Sequence, residues 1–176
     1  MRWQWLSSSF TVVFFVGTAV SSVFGQAFHF DQNRSKIEFE LSHLGVLTVN
    51  GAFKIFSGSM VKTKEGWIIN GAIDVKSIDT GNSERDATVL GEQYLNTTQF
   101  QKIEFVGRAV ATKNQFAING FLSLRGVNKS ISFSLLEKEN SLSGELLISR
   151  KYFHLNFGGM DDLIGDEITV MVTLIK

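Results

Sequence analysis

Apolar and polar residues alternate along most of the chain with a period of two. In the first such stretch, Ile37, Phe39 and Leu41 alternate with polar residues. Strands that have one buried and one wet face produce this spacing. The same spacing recurs in seven later stretches, whose apolar members are Trp67, Ile69, Ile73 and Val75; Ile103 and Phe105; Phe116, Ile118, Leu122 and Leu124; Ile131, Phe133 and Leu135; Leu142, Leu146 and Ile148; Phe153, Leu155 and Phe157; and Ile168, Val170, Val172 and Leu174.

Short strands at regular spacing are typical of an antiparallel sandwich or barrel. With about eight or nine strands, closure into a barrel is favoured because it removes exposed edges. Turn-forming residues at 113–115, 126–129 and 139–141 agree with this arrangement. The sequence therefore predicts an all-β fold, a closed antiparallel β-barrel of about eight strands. Glycines inside the strands predict bulges or sharp bends at Gly71, Gly107, Gly120 and Gly144.

One stretch, between residues 78 and 100, departs from the alternating pattern. Its apolar residues recur at intervals of three and four, as expected for a helix. Ser83 stands three residues before Asp86, close to a capping box, and Asn82 is an alternative cap. We expect one short helix across an opening of the barrel. The residues with helical spacing are Ala87, Leu90, Tyr94 and Leu95.

The first 25 residues have the features of a secretory signal peptide. Arg2 precedes an uncharged apolar run at 10–20, and small residues follow at Gly25 and Ala27. The run is shorter than the roughly 20 residues that a transmembrane helix needs. We predict cleavage after Gly25 or after Ala27, with an uncleaved anchor as the alternative. The mature protein would then be periplasmic or secreted, with one domain at 28–176.

Composition excludes several classes of partner. Of 17 basic and 17 acidic residues, the predicted signal segment removes Arg2 alone, so 16 basic and 17 acidic residues remain, a net charge of −1. Nucleic-acid binding requires a basic surplus that this chain lacks, and no run of Lys and Arg indicates stable membrane attachment. Cysteine is absent, so the domain uses neither disulfides nor thiol chemistry.

No catalytic or metal-binding motif is found. The three histidines, His29, His43 and His154, lack the spacing of a metal site. The acidic cluster at 161–167 lacks the spacing of a calcium loop, and no nucleophile elbow or phosphate-binding loop is present. We therefore expect no metal, no cofactor and no enzymatic activity. An enzyme acting on a lipid with His43 or Asp79 as general base is the less favoured alternative.

Aromatic residues are abundant in the predicted strands. Twelve phenylalanines, one tryptophan and two tyrosines follow the predicted signal segment. A barrel of about eight strands either fills with such side chains or holds one small ligand. Periodicity alone does not separate a filled interior from a hollow one.

From residue 28 to residue 176 the sequence resembles the YceI-like family of polyisoprenoid-binding proteins. The resemblance rests on the segments "SKIEFELSHLGVLTVNGAFKIFSGSM" and "SIDTGNSERDATVLGEQYL". "FQKIEFVG", "GFLSLRGVNKSISFSL" and "IGDEITVMVTL" follow in the family's order and spacing.

The resemblance implies a lipocalin-like barrel that carries a long isoprenoid or related lipid in its interior, an isoprenoid quinone being one candidate. It also implies an exported binding protein without catalytic activity. A filled barrel that serves as a stress-response or interaction module is the alternative. By resemblance, the apolar wall consists of Ile37, Phe39, Leu41, Phe53, Trp67, Ile73, Val75, Phe105, Leu124, Phe133, Phe157 and Val170.

The resemblance also implies a mouth near the predicted helix, covered by a lid. Arg85 and Asp86 are interpreted mainly as contacts at the end of that helix. A homodimer is compatible with this arrangement, since two barrels can together cover a lipid tail too long for one. The predicted mouth and lid residues are His43, Ile78, Asp79, Asn82, Arg85 and Tyr94.

Overall fold

The structure, a computed structural model, describes residues 26–176; the predicted signal segment at 1–25 lies outside them. The described chain is all-β with one α-helix, α1 (Ser83–Leu90). The strands are β1 (Ala27–His29), β2 (Lys36–His43), β3 (Leu47–Phe53), β4 (Phe56–Thr63), β5 (Gly66–Asp74), β6 (Ile78–Asp79), β7 (Lys102–Ala111), β8 (Gln115–Leu124), β9 (Val127–Lys138), β10 (Ser141–Ser149) and β11 (Ile164–Ile175).

These strands form one antiparallel sheet of eleven strands in the order β1-β4-β5-β7-β8-β9-β10-β11-β2-β3-β6. The prediction of a closed barrel of about eight strands is not confirmed, because the ladder is open between β3 and β4. Only Lys54 and Ile55 separate these two strands, yet β3 pairs with β2 and β4 pairs with β5. The short strands β1 and β6 pair with the free edges of β4 and β3.

Two apolar clusters occupy opposite ends of the strands. The first gathers the start of β5 and β8 and the end of β7, with Trp67, Phe116 and Ala109 buried together. The second gathers the other ends of β7 and β8, with Ile103 and Leu124, beneath the buried Phe153. Paired residues on neighbouring antiparallel strands point to the same face of the sheet. Inward residues at the same height along β5, β7 and β8 therefore lie side by side. The space between the two clusters is enclosed by the middle of the sheet.

The strand glycines differ in their pairing. Pairing runs without interruption through Gly71, Gly107 and Gly120, which form no bulge. At Gly144, pairing with β11 continues, but pairing with β9 ends at the preceding residue, Ser143. Among the described strands, a register shift lies in β11, between Ile164 and Ile168. Three of these glycines lie where a side chain would collide. A Cβ at Gly107 or Gly120 would stand about 2.6 Å or 2.5 Å from the Phe105 ring, and one at Gly144 would overlap the backbone at Ser134.

The prediction of one short helix is confirmed, although Tyr94 and Leu95, which have helical spacing, lie beyond its end. Of the two candidate caps, Ser83 is instead the first helical residue. The Asn82 side chain accepts a hydrogen bond from the Arg85 backbone N–H (2.9 Å), so Asn82 is the N-cap. The helix ends before Gly91, and Leu90 and Leu95 pack against the second cluster. Within residues 26–176, no helix has the length and apolar character needed to cross a membrane.

The predicted strand through Phe153, Leu155 and Phe157 is wrong. This segment instead contains 3₁₀ turns at Lys151–Phe153 and Gly158–Leu163. His154 ends the first of these turns in a left-handed conformation (φ 57°), which a strand residue does not adopt. The apolar alternation at residues 153–157 therefore does not mark a strand. Phe153 and Leu155 are both buried, but they lie in a segment of turns.

Candidate functional site

An apolar cavity of about 310 Å³ lies between the two clusters. Residues of ten strands line it, and among the described residues the lining includes no Asp, Glu, Lys or Arg. Inward alternation of the strands supplies the wall, because every second side chain points to the interior. Apolar residues on the wall include Ile37, Phe39, Phe53, Phe56, Ile69, Ile73, Ile103, Phe105, Ile118, Leu122, Leu124, Ile131, Phe133, Leu135, Leu146, Ile148, Val170, Val172 and Leu174.

Several inward aromatic side chains are only partly buried. Phe39, Phe53, Phe105 and Phe133 each retain intermediate exposure although they line the interior. In a filled core such rings would be fully covered, since protein interiors pack as densely as organic crystals. The interior is therefore hollow at this level, which disagrees with the filled-barrel alternative.

Eight of the twelve predicted wall residues line this cavity. These residues lie on the inner faces of their strands, so no one-residue shift in register separates them from the positions that the resemblance implies. These eight residues are Ile37, Phe39, Phe53, Ile73, Phe105, Leu124, Phe133 and Val170.

The other four predicted wall residues lie outside the cavity. Trp67 is buried in the first cluster, where it stacks on Phe28 at 5.1 Å between ring centroids. Val75 is buried in the second cluster. Leu41, although on the inner face of β2, lies beyond the cavity toward the end of that strand. Phe157 directly precedes the 3₁₀ turn at Gly158–Leu163 rather than lying in a strand, and it contacts Tyr94 (5.1 Å between centroids).

None of the predicted mouth and lid residues lines the cavity. His43 pairs with Leu47 and Ile164 at the far end of β2, and Tyr94 packs on Phe157. The segment after β6 is instead occupied by its own hydrogen bonds. The Arg85 guanidinium donates to the carbonyl (2.7 Å) and hydroxyl (2.9 Å) of Thr80, as expected for a helix-end contact. The residues placed outside the cavity are His43, Ile78, Asp79, Asn82, Arg85 and Tyr94.

Part of the polar lining comes from a segment that sequence reasoning did not select; the rest is Ser57 on β4 and Asn70 on β5. Residues 26–35 run from the edge of β4 across to the end of β11, where the Asp31 N–H donates to the carbonyl of Ile175 (2.8 Å). His29 and Gln32 of this segment, both exposed, line the cavity beside Phe30. We refer to residues 26–35 as the N-terminal crossing segment. No spacing motif marks it, because its position depends on contacts with β4 and β11.

Arg150 is a second residue that the sequence pattern missed. Its side chain is fully buried and donates to the carbonyl oxygens of Leu155 (2.9 Å) and Ile164 (2.9 Å). It also bonds the Asp161 carboxylate (2.6 Å) and lies over the Phe157 ring. The Arg150 guanidinium thus connects several backbone carbonyls of the segment 155–165 through hydrogen bonds. Buried arginines are rare unless paired, so alternation gives no signal for this one.

Hydrogen bonds and nearby cations lower the pKa of four aspartates, Asp31, Asp79, Asp161 and Asp166. The backbone N–H of Phe157 and then the Arg150 guanidinium lower the pKa of Asp161 below its ordinary value. The backbone N–H of Gly81, and secondly Lys54, lower the pKa of Asp79. A lowered pKa makes a carboxylate a weaker base, and Asp79 faces solvent rather than the cavity. This geometry does not favour Asp79 as a general base.

The arrangement of the acidic and histidine side chains bears on metal binding. Within residues 26–176, no group of three His, Asp or Glu side chains stands close enough together to hold an ion. Ser149 and the Lys151 N–H instead hold the Asp166 carboxylate, at 2.9–3.0 Å. The acidic stretch at 161–167 is thus engaged in contacts within the chain.

The fold and the site together define a class: an all-β protein whose curled antiparallel sheet encloses an apolar cavity. The model of the YceI-like domain family matches residues 28–175. The chain belongs to this family.

Comparisons with known proteins agree. A UPF0312 protein from Shewanella sp. (strain W3-18-1) is 34% identical over 103 residues, which cover 56% of this chain and 54% of the relative. The matched region thus spans about half the length of that curated relative. BcnA of Burkholderia cenocepacia has the same fold, with a TM-score of 0.75 at 21% identity, over 84% of this chain and 99% of BcnA.

A polyisoprenoid binding domain from Saccharophagus degradans, implicated in plant cell wall breakdown, is also similar in structure. Its TM-score is 0.67 at 18% identity, over 83% of this chain and 95% of that domain. At this level of identity the likeness shows the fold alone.

Proposed function

We propose that this protein binds the long apolar chain of a lipid, a polyisoprenoid or a similar molecule, in its cavity. The observation that carries the proposal is the 310 Å³ cavity whose lining contains no Asp, Glu, Lys or Arg of the described chain. The family membership and the polyisoprenoid binding named for the Saccharophagus domain support the choice of ligand class.

The cavity size sets the scale of the interaction. A cavity of about 150 Å³ holds a benzene molecule, so this one takes roughly twelve carbon atoms. At about 0.8 kcal/mol per buried CH₂, such a chain gains about 10 kcal/mol by leaving water. Association costs about 4–15 kcal/mol, and a preformed cavity keeps that cost low. The remainder of a long chain extends out of the cavity, and His29 and Gln32 are placed to contact it or its polar head group.

The protein acts as a carrier or reservoir rather than as an enzyme, in the periplasm or outside the cell. The signal-like features of residues 1–25 support export. The apolar wall supports binding without chemistry, because acid–base catalysis needs titratable groups within hydrogen-bond reach of the reacting atoms. An isoprenoid quinone is one ligand of the proposed class.

Lipid extraction tests the proposal. The mature protein is purified without detergent and extracted with organic solvent, and the extract is analysed by mass spectrometry beside that of an unrelated exported protein. We expect a long-chain lipid at close to stoichiometric amount from this protein and not from the control. A protein that carries no lipid and takes up no added polyprenol would contradict the proposal.

A further inference from the structure

The middle of the cavity is shaped by glycines. Gly58 and Gly71 are paired with each other on β4 and β5, and both line the cavity. One level further along, Gly107 and Gly120 are paired on β7 and β8. Four inner positions at mid-depth therefore carry no side chain. We refer to these four residues as the glycine belt.

The ring of Phe105 occupies the space that part of the belt leaves open. Its Cζ lies 2.6 Å from the position that a Cβ would take at Gly107 and 2.5 Å from that position at Gly120, so the tip of the ring covers both glycines. Its edge meets Phe133 at 5.6 Å between centroids. Phe105 lines the cavity and packs against both apolar clusters. The ring therefore protrudes into the cavity at mid-depth, the level of the glycine belt, with wall residues on either side. We refer to this level as the waist of the cavity.

We infer that Phe105 determines how much of a ligand chain the cavity accepts. The inference rests on the proposed function. With the ring in place, Gly107 and Gly120 are covered, and neither lines the cavity. Without it, a space about the size of a benzene molecule, roughly half the present cavity volume, is added at the waist. That space accepts about one more isoprene unit, or a chain folded back on itself.

A substitution at another residue of the glycine belt, Gly71, provides a way to restore the restriction. Gly71 stands directly across from Phe105 in the β5–β7 register. A Cβ at Gly71 meets nothing nearer than Ser57 O at 3.9 Å and Phe105 Cβ at 4.0 Å, which is ordinary contact distance. The Cβ of Gly71→Leu is therefore accommodated at ordinary contact distance, and the remaining three carbons extend into the cavity that Gly71 lines. In a protein that lacks the Phe105 ring, this side chain refills the space.

The experiment measures affinity against chain length for polyprenols of 10 to 40 carbons, with native mass spectrometry or competition against a fluorescent fatty acid. Each further buried CH₂ raises affinity about fourfold until the cavity is full, and then the curve becomes flat. We expect Phe105→Ala to move the start of the plateau about five carbons toward longer chains. We expect Gly71→Leu combined with Phe105→Ala to return it to the wild-type position.

Controls separate this effect from loss of structure. Phe116→Leu removes ring atoms from the first cluster, which does not line the cavity at that residue, and should leave the plateau unchanged. Phe105→Leu, a milder change, should give a smaller shift in the same direction if Phe105→Ala does not fold. A plateau that stays at the wild-type length in both Phe105 variants would overturn the inference. Wild-type protein that binds no polyprenol at any length would instead overturn the proposed function.

Discussion

Gly71→Leu, made alone, tests whether the interior is hollow in solution. The substitution places four carbon atoms on the inner face of β5, where the nearest atoms to the new Cβ are 3.9 Å and 4.0 Å away. Scaled from the 150 Å³ that six benzene carbons need, these atoms take roughly 100 Å³, or a third of the cavity. The new side chain therefore meets empty space rather than packed neighbours.

The effects on stability and on binding have opposite signs. Burying a leucine side chain stabilises the ligand-free protein by about 1.5–3 kcal/mol, and removing a strand glycine adds about 0.5–1 kcal/mol. A ligand chain loses the space for four carbons, which costs about 3 kcal/mol in affinity and raises Kd by roughly two orders of magnitude. Urea unfolding of delipidated protein measures the first effect, and polyprenol titration measures the second.

Ser130→Leu is the matched control, because Ser130 is exposed on β9 and pairs with the outward-facing Phe121. It should change Kd little. If Gly71→Leu destabilises the ligand-free protein, the interior is packed in solution. If it leaves the Kd of a polyprenol unchanged, the ligand does not occupy this cavity. Either result would refute the reasoning from cavity volume.

Three further predictions concern the elements around the cavity. Arg150→Met leaves several buried carbonyl oxygens of 155–165 without a donor, so urea unfolding should show a loss of about 3 kcal/mol or more; a loss below 1 kcal/mol would contradict the role given to this side chain. Because the pKa of Asp161 is lowered in the folded state, its charged form contributes stability that is complete above the unfolded value of about 3.9 and is lost as pH falls through the folded pKa. Asp161→Asn should therefore flatten the acid limb of the stability curve below about pH 4, and an unchanged limb would exclude this group. Asn82→Ala removes the helix cap and should cost about 0.5–2 kcal/mol, whereas Asn82→Ser keeps a capping oxygen and should cost much less; equal losses in the two variants would mean that the bond to the Arg85 N–H is not the cause.

The residues around the opening of the cavity were only partly predictable from the sequence. The helix and its Asn82 cap were predictable, because capping residues and helical spacing are local signals. That the helix lies against the second cluster, away from the cavity lining, is a matter of tertiary contacts. His29 and Gln32 reach the cavity because residues 26–35 attach to β4 at one end and to β11 at the other. These contacts join residues that are more than 20 positions apart in the sequence. They therefore produce no periodic pattern within the ten-residue segment.

Sequence by itself determined the strands and most of their inward faces. Alternation is fixed by the pleat of a β-strand, so Ile37, Phe39, Phe105 and Phe133 were placed on the wall from spacing combined with family resemblance. Only the tertiary structure decided that the ladder stays open between β3 and β4, and that residues 153–157 form turns around Arg150. It also decided that the interior is hollow at the glycine belt. Volume depends on how side chains from different strands meet, and a one-dimensional pattern does not contain that information.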